Sequence, residues 1–421
     1  MNLLSTIFWI FSIRSIGGII FSIWAYRYFR YVADMGISEN GNVLVDDRRI
    51  IIIMPVLNEV NVISDTVERF IKLITPHNNI DLIIVGSITE RNENEMNPTL
   101  KAAILAVREN PRVHIIEAPQ KPPRRAHQIN YAMHWLSYDP TKTWLLQVDV
   151  DSRISKIALD EIIQAVNAGH RVIQQCALFL VNFQRMTLIQ RGQALFQSRW
   201  TLSHEFKRLM LSHYNLWSYY HVVGHGLCIN ADLLNSYGGM PTAAIVEDME
   251  LGYYLCCDNE RVHIIHNMEL ADSPSTFKSG QHQLYRWAFG QMNCLGYFRQ
   301  YLLLKEGNLL SWKHRIKAFL LAVIGVISSM AWNTMSYLIA LALWQITVLN
   351  WSVAIFLLCY TTEFIICMLF FRKTKLIGTR ELIKASPFIV LHLLVRSFSA
   401  NRAFFTWVTR RSANTQKADH E

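Results

Sequence analysis

From Ala318 to Thr362 the chain carries no Asp, Glu, Lys or Arg, and over all 421 residues only 17% of positions are charged. A stretch without charge excludes an ordinary hydrated surface. A membrane-crossing helix needs about 20 apolar residues, so this stretch is long enough for two passes, with a break near Asn350. A second apolar run covers Leu3 to Phe29, interrupted by Arg14. No basic residue precedes it and no small-x-small site follows it, which argues against a cleaved leader and for a retained anchor. The seven cysteines include no Cys-x-x-Cys pair; Cys256 and Cys257 are adjacent, and Cys359 and Cys367 fall in the last uncharged region or just beyond it. That pattern excludes a disulfide frame or a zinc ribbon and reads as reduced, structural cysteine. Internal repeats and low-complexity segments are absent as well.

What is present is positive charge in particular places. The formal net charge is +9. Arg27 and Arg30 follow the first apolar run, Lys313, Arg315 and Lys317 precede the second, and Arg372, Lys373 and Lys375 follow the third. The chain start and the Asn350 turn carry none. All clusters therefore fall on one side, which the distribution of basic residues in membrane proteins makes cytosolic. The clusters hug apolar runs and do not form one groove-sized patch, so nucleic acid is not expected as a partner.

Between these regions, from Arg48 to about Thr276, short β-branched runs alternate with helical segments. Ile50–Met54, Asp81–Val85, Val113–Ile116, Trp144–Val148 and Arg171–Leu180 read as strands, and 60–74, 99–109, 126–136 and 155–168 as helices. Continuous apolar runs suit strands covered on both faces, and the alternation argues an α/β fold with a mostly parallel sheet between helices. Ligands bind such sheets at the carboxyl ends of the strands.

The residues following the strands are chemically informative. Pro55-Val56-Leu57-Asn58-Glu59 follows the first. Gln147-Val148-Asp149-Val150-Asp151-Ser152 follows the fourth. In an extended segment Asp149 and Asp151 would point the same way, offering two carboxylates to a hard divalent cation and to phosphate oxygens; a solvated acidic loop is the plainer alternative. Gly238-Gly239-Met240-Pro241 precedes Ile245-Val246-Glu247-Asp248-Met249-Glu250, where three acids open a helix. Either dipole compensation or a general base accounts for them. Gln283-Leu284-Tyr285-Arg286-Trp287 puts Gln283, Arg286 and Trp287 on one helix face, which also suits interfacial anchoring. His221 and His225 are separated by three residues that include glycine; that is a poor helix and no third ligand is evident, so a histidine metal site is not expected.

In this order, P-V-L-N-E, D-x-D-S, G-G-x-P-x(4)-E-D and Q-x-x-R-W resemble the membrane-integrated branch of the family 2 glycosyltransferases, which have a GT-A fold and include cellulose, chitin, hyaluronan and poly-N-acetylglucosamine synthases and ceramide glucosyltransferases. The resemblance covers roughly residues 48–290. It implies a GT-A type, mostly parallel sheet with helices on both faces, plus transmembrane and interfacial helices at both ends. It also implies inverting transfer from a nucleotide diphosphate sugar, with UDP expected, using Mg²⁺ or Mn²⁺. Carried over by position, Asn58 and Glu59 border the nucleotide pocket, Asp149 contacts nucleotide, and Asp149 and Asp151 serve the metal. Asp248 is the general base with Glu247 beside it. Gln283 and Arg286 hold the diphosphate, and Trp287 floors the acceptor site. Where the family has G-K-A-x-A-L-N this chain reads Arg124-Arg125-Ala126-His127-Gln128-Ile129-Asn130, so Arg125 stands for the usual Lys as a diphosphate ligand. Where the second strand of the family ends in two aspartates, this chain has Val85-Gly86-Ser87-Ile88-Thr89-Glu90.

The expected organisation is an anchor over 1–33, a cytosolic catalytic domain over 34–276, an amphipathic interfacial segment over 277–315, two membrane helices over 316–372 and an amphipathic or membrane-associated segment over 373–421. Within that last segment, 386–408 is either a surface-lying helix or a further span. The expected setting is the cytoplasmic membrane, with the catalytic domain in the cytosol. Expected partners are the nucleotide sugar donor, a lipid or polysaccharide acceptor, membrane lipids, and a membrane partner protein or further copies of the chain. Three roles stay open at this point: a polysaccharide synthase, an enzyme adding one sugar to a lipid, and a non-catalytic subunit of a polysaccharide assembly.

Overall fold

The computed structural model describes residues 3–30, 43–45, 47–91, 95–107, 110–216, 222–306, 310–345 and 351–409. Helix α1 (Leu3–Tyr28) precedes an α/β core that opens at strand β1 (Arg49–Pro55). Then come α2 (Ile63–Ile74), β2 (Ile80–Ser87), α3 (Pro98–Val107), β3 (Val113–Ala118), α4 (Arg125–Trp135), β4 (Thr143–Gln147) and α5 (Lys156–Asn167). These four strands are mutually parallel, with Ile53 opposite both Ile83 and Gln147. Ile50 to Met54 and Ile80 to Val85 are buried throughout, as β-branched runs between two helical layers should be. Alternate residues feed two separate cores, Ile51 and Ile53 on one face and Ile50, Ile52 and Met54 on the other.

The expected strand over Arg171–Leu180 is two short ones, β5 (Val172–Gln174) and β6 (Ala177–Leu178). The break is built by Gln174, whose side chain turns to the loop ahead of the next strand: Nε2 donates to the His225 carbonyl at 2.8 Å and Oε1 accepts from the Val223 N–H at 3.1 Å. Helix α6 (Leu188–Trp200) continues through a wide turn over Thr201–Glu205 into α7 (Phe206–His213). Strand β7 (Leu227–Asn230) then inserts antiparallel between β4 and β5. After α8 (Ala231–Ser236), α9 (Glu247–Cys257), β8 (Val262–Ile264) and β9 (Glu269–Leu270), the main sheet has the order β3-β2-β1-β4-β7-β5-β8, and β6 pairs with β9 in a small second sheet.

The remainder is helical: α10 (Phe277–Met292), α11 (Cys294–Leu304), α12 (Trp312–Trp344), α13 (Trp351–Lys373), α14 (Thr379–Ala385) and α15 (Pro387–Val408). Among the described residues, three helical segments are long and apolar enough to cross a membrane, Leu3–Tyr28, Trp351–Lys373 and Thr379–Val408. The uncharged stretch from Ala318 to Thr362 takes in most of α12, 33 residues long, and the first half of α13. These helices are not a separate appendage. Helix α1 packs along α13, and α15 packs on both α10 and α6. Lys317, at the start of α12, donates to the carbonyls of Cys256 and Cys257 at 2.9 and 3.1 Å, and the Tyr253 hydroxyl donates to the Ala318 carbonyl at 2.6 Å. The last turn of α9 is thereby capped from α12, since carbonyls at a helix C-terminus lack partners within their own helix. Part of the basic cluster read as a side marker is thus structural.

Candidate active site

Because β1, β2 and β4 run parallel, the segments after Pro55, Ser87 and Gln147 meet at one edge of the sheet. Gln128 on α4 ties that edge together, donating from Nε2 to the carbonyls of Val56 and Val85 at 2.8 and 2.7 Å. Asn58 there is exposed and adopts φ 58°, a conformation that asparagine tolerates better than most residues. Glu59 is buried, and its N–H donates to Thr99 Oγ1 at 3.1 Å; Thr99 in turn donates to Glu90 at 2.6 Å. Glu90 therefore stands close to Glu59, in the region where the second-strand aspartates were missed.

Asp149 and Asp151 do not lie in an extended segment. A tight turn runs from Asp149 to Ser152, closed by the Ser152 N–H on the Asp149 carbonyl at 3.1 Å and by the Asp149 N–H on Ser152 Oγ at 3.1 Å. Strand alternation therefore does not set the two carboxylates on one side. Asp149 Oδ1 lies 3.1 Å from Arg125 Nη2, whereas Asp151 Oδ2 accepts the Asp272 N–H at 3.1 Å. Among the described residues no group of three or more His, Cys, Asp and Glu side chains is gathered as a metal site.

The antiparallel β7 brings in the loop Val222-Val223-Gly224-His225-Gly226, which by resemblance stands where the family often has a Gly-rich acceptor loop. Leu227 pairs with Gln147, and the Gly226 N–H donates to the Gln147 carbonyl at 2.9 Å, so Val222–Gly226 arrives at the carboxyl end of β4. His221 lies outside the described residues. The Gly224 N–H donates to Asp248 Oδ2 at 2.6 Å, and its carbonyl accepts from Arg125 Nη2 at 2.9 Å. A Cβ at this position would run into the Arg125 guanidinium and lie 3.1 Å from Asp248 Oδ2. Gly226 has φ +65°, and a Cβ there would meet the Gln175 carbonyl at 2.7 Å, so Gly226 requires glycine, whereas a side chain at 224 would have to displace the Arg125 guanidinium. The V-G-H-G run was the available signal for this loop. His225 is paired with a carboxylate. Its Nδ1 is 3.0 Å from Glu269 Oε1; burial opposes its charge, but Glu269 dominates and pushes its pKa up to about 9.

Arg125 opens α4 and reaches the middle of this group, with Glu247 Oε1 3.8 Å from Nη1. Burial works against its charge, yet Asp149, Glu247, Asp248 and Glu269 together hold its pKa above the ordinary value. Asp248, at the start of α9, also accepts the Met249 N–H at 2.8 Å. Burial first, then Glu247, pushes its carboxyl up to about 6, against the pull of Arg125 and the two N–H donors.

Asp248 faces a cleft of about 730 Å³ of atom-free space, mouth included, with Met249, Leu284, Trp287, Phe179, Phe196 and Trp200 among its walls. Trp287 is placed there because α10 packs tightly on α9: a Cβ at Gly290 would lie 2.7 Å from Val246 and 3.0 Å from Met249. Gln283 and Arg286, also half-buried on α10, stand outside the lining of this cleft. His392 of α15 and Gln193 and Gln197 of α6 complete it. None of these last three was singled out from the sequence, because their helices carry no motif.

Residues 144–372 match the family described as glycosyl transferase family group 2, and residues 51–235 match glycosyl transferase family 2. No curated protein matches the sequence. Among solved structures, the chain is similar to the mannosyltransferase PcManGT from Pyrobaculum calidifontis in complex with GDP-Man and Mn²⁺, at 13% identity and TM-score 0.47, covering 92% of this chain and 99% of that one. It is also similar to S. aureus TarS, at 12% identity and TM-score 0.42, covering 87% and 93%. A third is the glucosyl-3-phosphoglycerate synthase from Mycobacterium tuberculosis with Mn²⁺, UDP and phosphoglyceric acid, at 14% identity and TM-score 0.35, covering 57% and 76%.

Proposed function

Since the chain belongs to glycosyl transferase family group 2, we propose that it is an inverting enzyme that moves a sugar from a nucleotide diphosphate sugar onto a lipid held at the membrane. The observation that carries this reading is Asp248. It is a carboxylate raised in pKa and backed by Arg125, and it faces a cleft whose walls are largely apolar and come partly from α10 and α15. A base must be ionised and within reach of the hydroxyl it serves. At pH 7 a carboxyl with a pKa near 6 is mostly ionised and a stronger base than an ordinary aspartate. Asp248 takes the acceptor proton as the oxygen attacks the anomeric carbon from the face opposite the diphosphate, and one displacement inverts that centre.

The donor would lie along the strand edge. Asn58 and Glu59 border the nucleoside, and Arg125, Gln283 and Arg286 receive the diphosphate, arginine acting as a two-pronged donor to its oxygens. A Mg²⁺ or Mn²⁺ ion would take Asp149, whose side chain is 44% exposed, as a hard oxygen ligand to be completed by phosphate oxygens, with Asp151, here bonded to the Asp272 N–H, as the second acid of the turn. When bound, that ion would add positive charge next to the leaving diphosphate. Trp287 would form the floor under the acceptor, and Glu247 would keep Asp248 basic. The positions of the basic clusters support a cytosolic catalytic domain on the cytoplasmic membrane.

The test uses purified protein in lipid with Mn²⁺ and a panel of nucleotide sugars, following nucleoside diphosphate release with and without membrane lipid extract. One donor giving release that depends on the extract is the expected result. Release that is indifferent to lipid but extends an added oligosaccharide would replace this reading with a polysaccharide synthase. No release with any donor from folded protein would point to a non-catalytic subunit.

A further inference from the structure

Helix α6 turns one face toward the cleft that holds Asp248. The spacing of Gln193, Phe196, Gln197 and Trp200 puts them on that face, and all four line the cleft. The two glutamines are 4% and 5% exposed, yet Nε2 of each has no hydrogen-bond partner among the described residues. An unpaired buried amide is costly, and nearly all buried polar groups in folded proteins have partners. Gln193 has little freedom to turn away, because a Cβ at Gly280 of α10 would run into its amide. Two more unpartnered atoms belong to the same lining, Oε1 of Glu205 and Nε2 of His392, on residues 4% and 2% exposed. The cleft thus offers two amide donors, a carboxyl oxygen and an imidazole nitrogen, on residues that the mechanism above leaves unused.

A hydroxyl answers donors and acceptors alike, since its oxygen accepts and its proton is donated. A phosphate only accepts, and among the described residues no lysine or arginine lines the cleft to hold it. The lining instead carries the carboxyl groups of Asp248 and Glu205, and the charge of His225 is matched by Glu269 3.0 Å away. An ammonium group only donates and would leave both glutamine amides unanswered. The space open to a water-sized group measures about 90 Å³. A water needs at least about 10–15 Å³ of such space, so a handful of waters, or the end of an acceptor of similar size, fills it. Val390 and Leu391, beside His392 in α15, are exposed, an apolar surface for alkyl chains. We propose that Gln193 and Gln197 select the acceptor, donating to a hydroxyl next to the one that faces Asp248, on an uncharged lipid head that carries at least two hydroxyls. This rests on the lipid-acceptor reading above and names the acceptor class: a neutral polyhydroxyl lipid, not a phosphate-bearing one.

The experiment titrates the full chain, in a detergent without hydroxyl groups, with monooleoylglycerol, its phosphate ester, oleyl alcohol and glycerol, reading bound mass by native mass spectrometry. Monooleoylglycerol should bind roughly tenfold tighter than either oleyl alcohol or the phosphate ester. Gln197→Leu should cut the advantage over oleyl alcohol to about threefold or less. The amide it removes has no partner, so its melting temperature should stay level or rise. Gln193→Leu is read in the same way. Oleyl alcohol or the phosphate ester binding as tightly as monooleoylglycerol overturns the proposal, and so does an unchanged advantage in either folded variant. Lowered melting temperatures in both variants would assign the amides a structural role and overturn it as well. Glycerol displacing monooleoylglycerol at equal concentration would assign the cleft to a soluble polyol, with the same consequence. Because no sugar donor is present and the readout is binding, a failure here is distinct from a failure of lipid-dependent turnover.

Discussion

Asp248 combines three things that rarely coincide in a helix-opening acid: burial, a like-charged neighbour in Glu247, and an N–H donor from a separate loop. Dipole compensation alone would leave it facing solvent with a low pKa. With its carboxyl pushed up to about 6, a base at this position would be ionised above that pH and lost below it. The rate should therefore fall about tenfold per pH unit on the acid side of pH 6. Asp248→Asn should lose roughly 10²–10⁴-fold in turnover while still binding donor in a calorimetric titration; a variant with full turnover would remove the base from the mechanism. Gly224→Ala should act through geometry, because its methyl displaces the Arg125 guanidinium. At least a tenfold drop in kcat with little change in melting temperature is expected, measured on diphosphate release. The order of the motifs singled out Asp149, Glu247 and Asp248, and these stand around Arg125. The Asp149–Ser152 turn was not legible in the sequence, because a serine hydroxyl that bonds back to the Asp149 N–H is a local choice that an alternating pattern does not reveal.

At the scale of elements, the four parallel strands were legible because runs such as Ile50–Met54 have no other comfortable place than between two layers of helices. Strand β7 was not: four residues, Leu227–Asn230, join the sheet through partners far away in sequence. The split after Gln174 likewise follows from side-chain bonds to a loop some 50 residues on. Helix α15 was left between lying on a membrane and crossing one, since Arg396 in an apolar run fits either; its packing on α6 and α10 gives that arginine a protein environment. The Arg199–Glu363 pair joins α6 to α13 with both side chains at most 4% exposed. Removing one member of such a pair strands the other charge, so Glu363→Gln should cost about 3–5 kcal/mol. A fall in melting temperature in detergent, recovered in part by the double variant Arg199→Met/Glu363→Gln, checks this.

At the scale of the whole molecule, the catalytic core and the apolar helices share residues that neither could spare. The helix that starts with Asp248 ends at Cys257, and its final carbonyls are gripped by Lys317 at the foot of α12. A lever runs from the base at one end of α9 to a long apolar helix at the other. A change in the tilt of α12 would pass through Lys317 to α9 and so to Asp248. Cutting the chain before α12 would thus not yield a soluble form of the same enzyme. If lipid around α12 is felt at Asp248, diphosphate release should vary with acyl-chain length even for a donor and acceptor that never touch the bilayer core; a rate independent of chain length would uncouple the two.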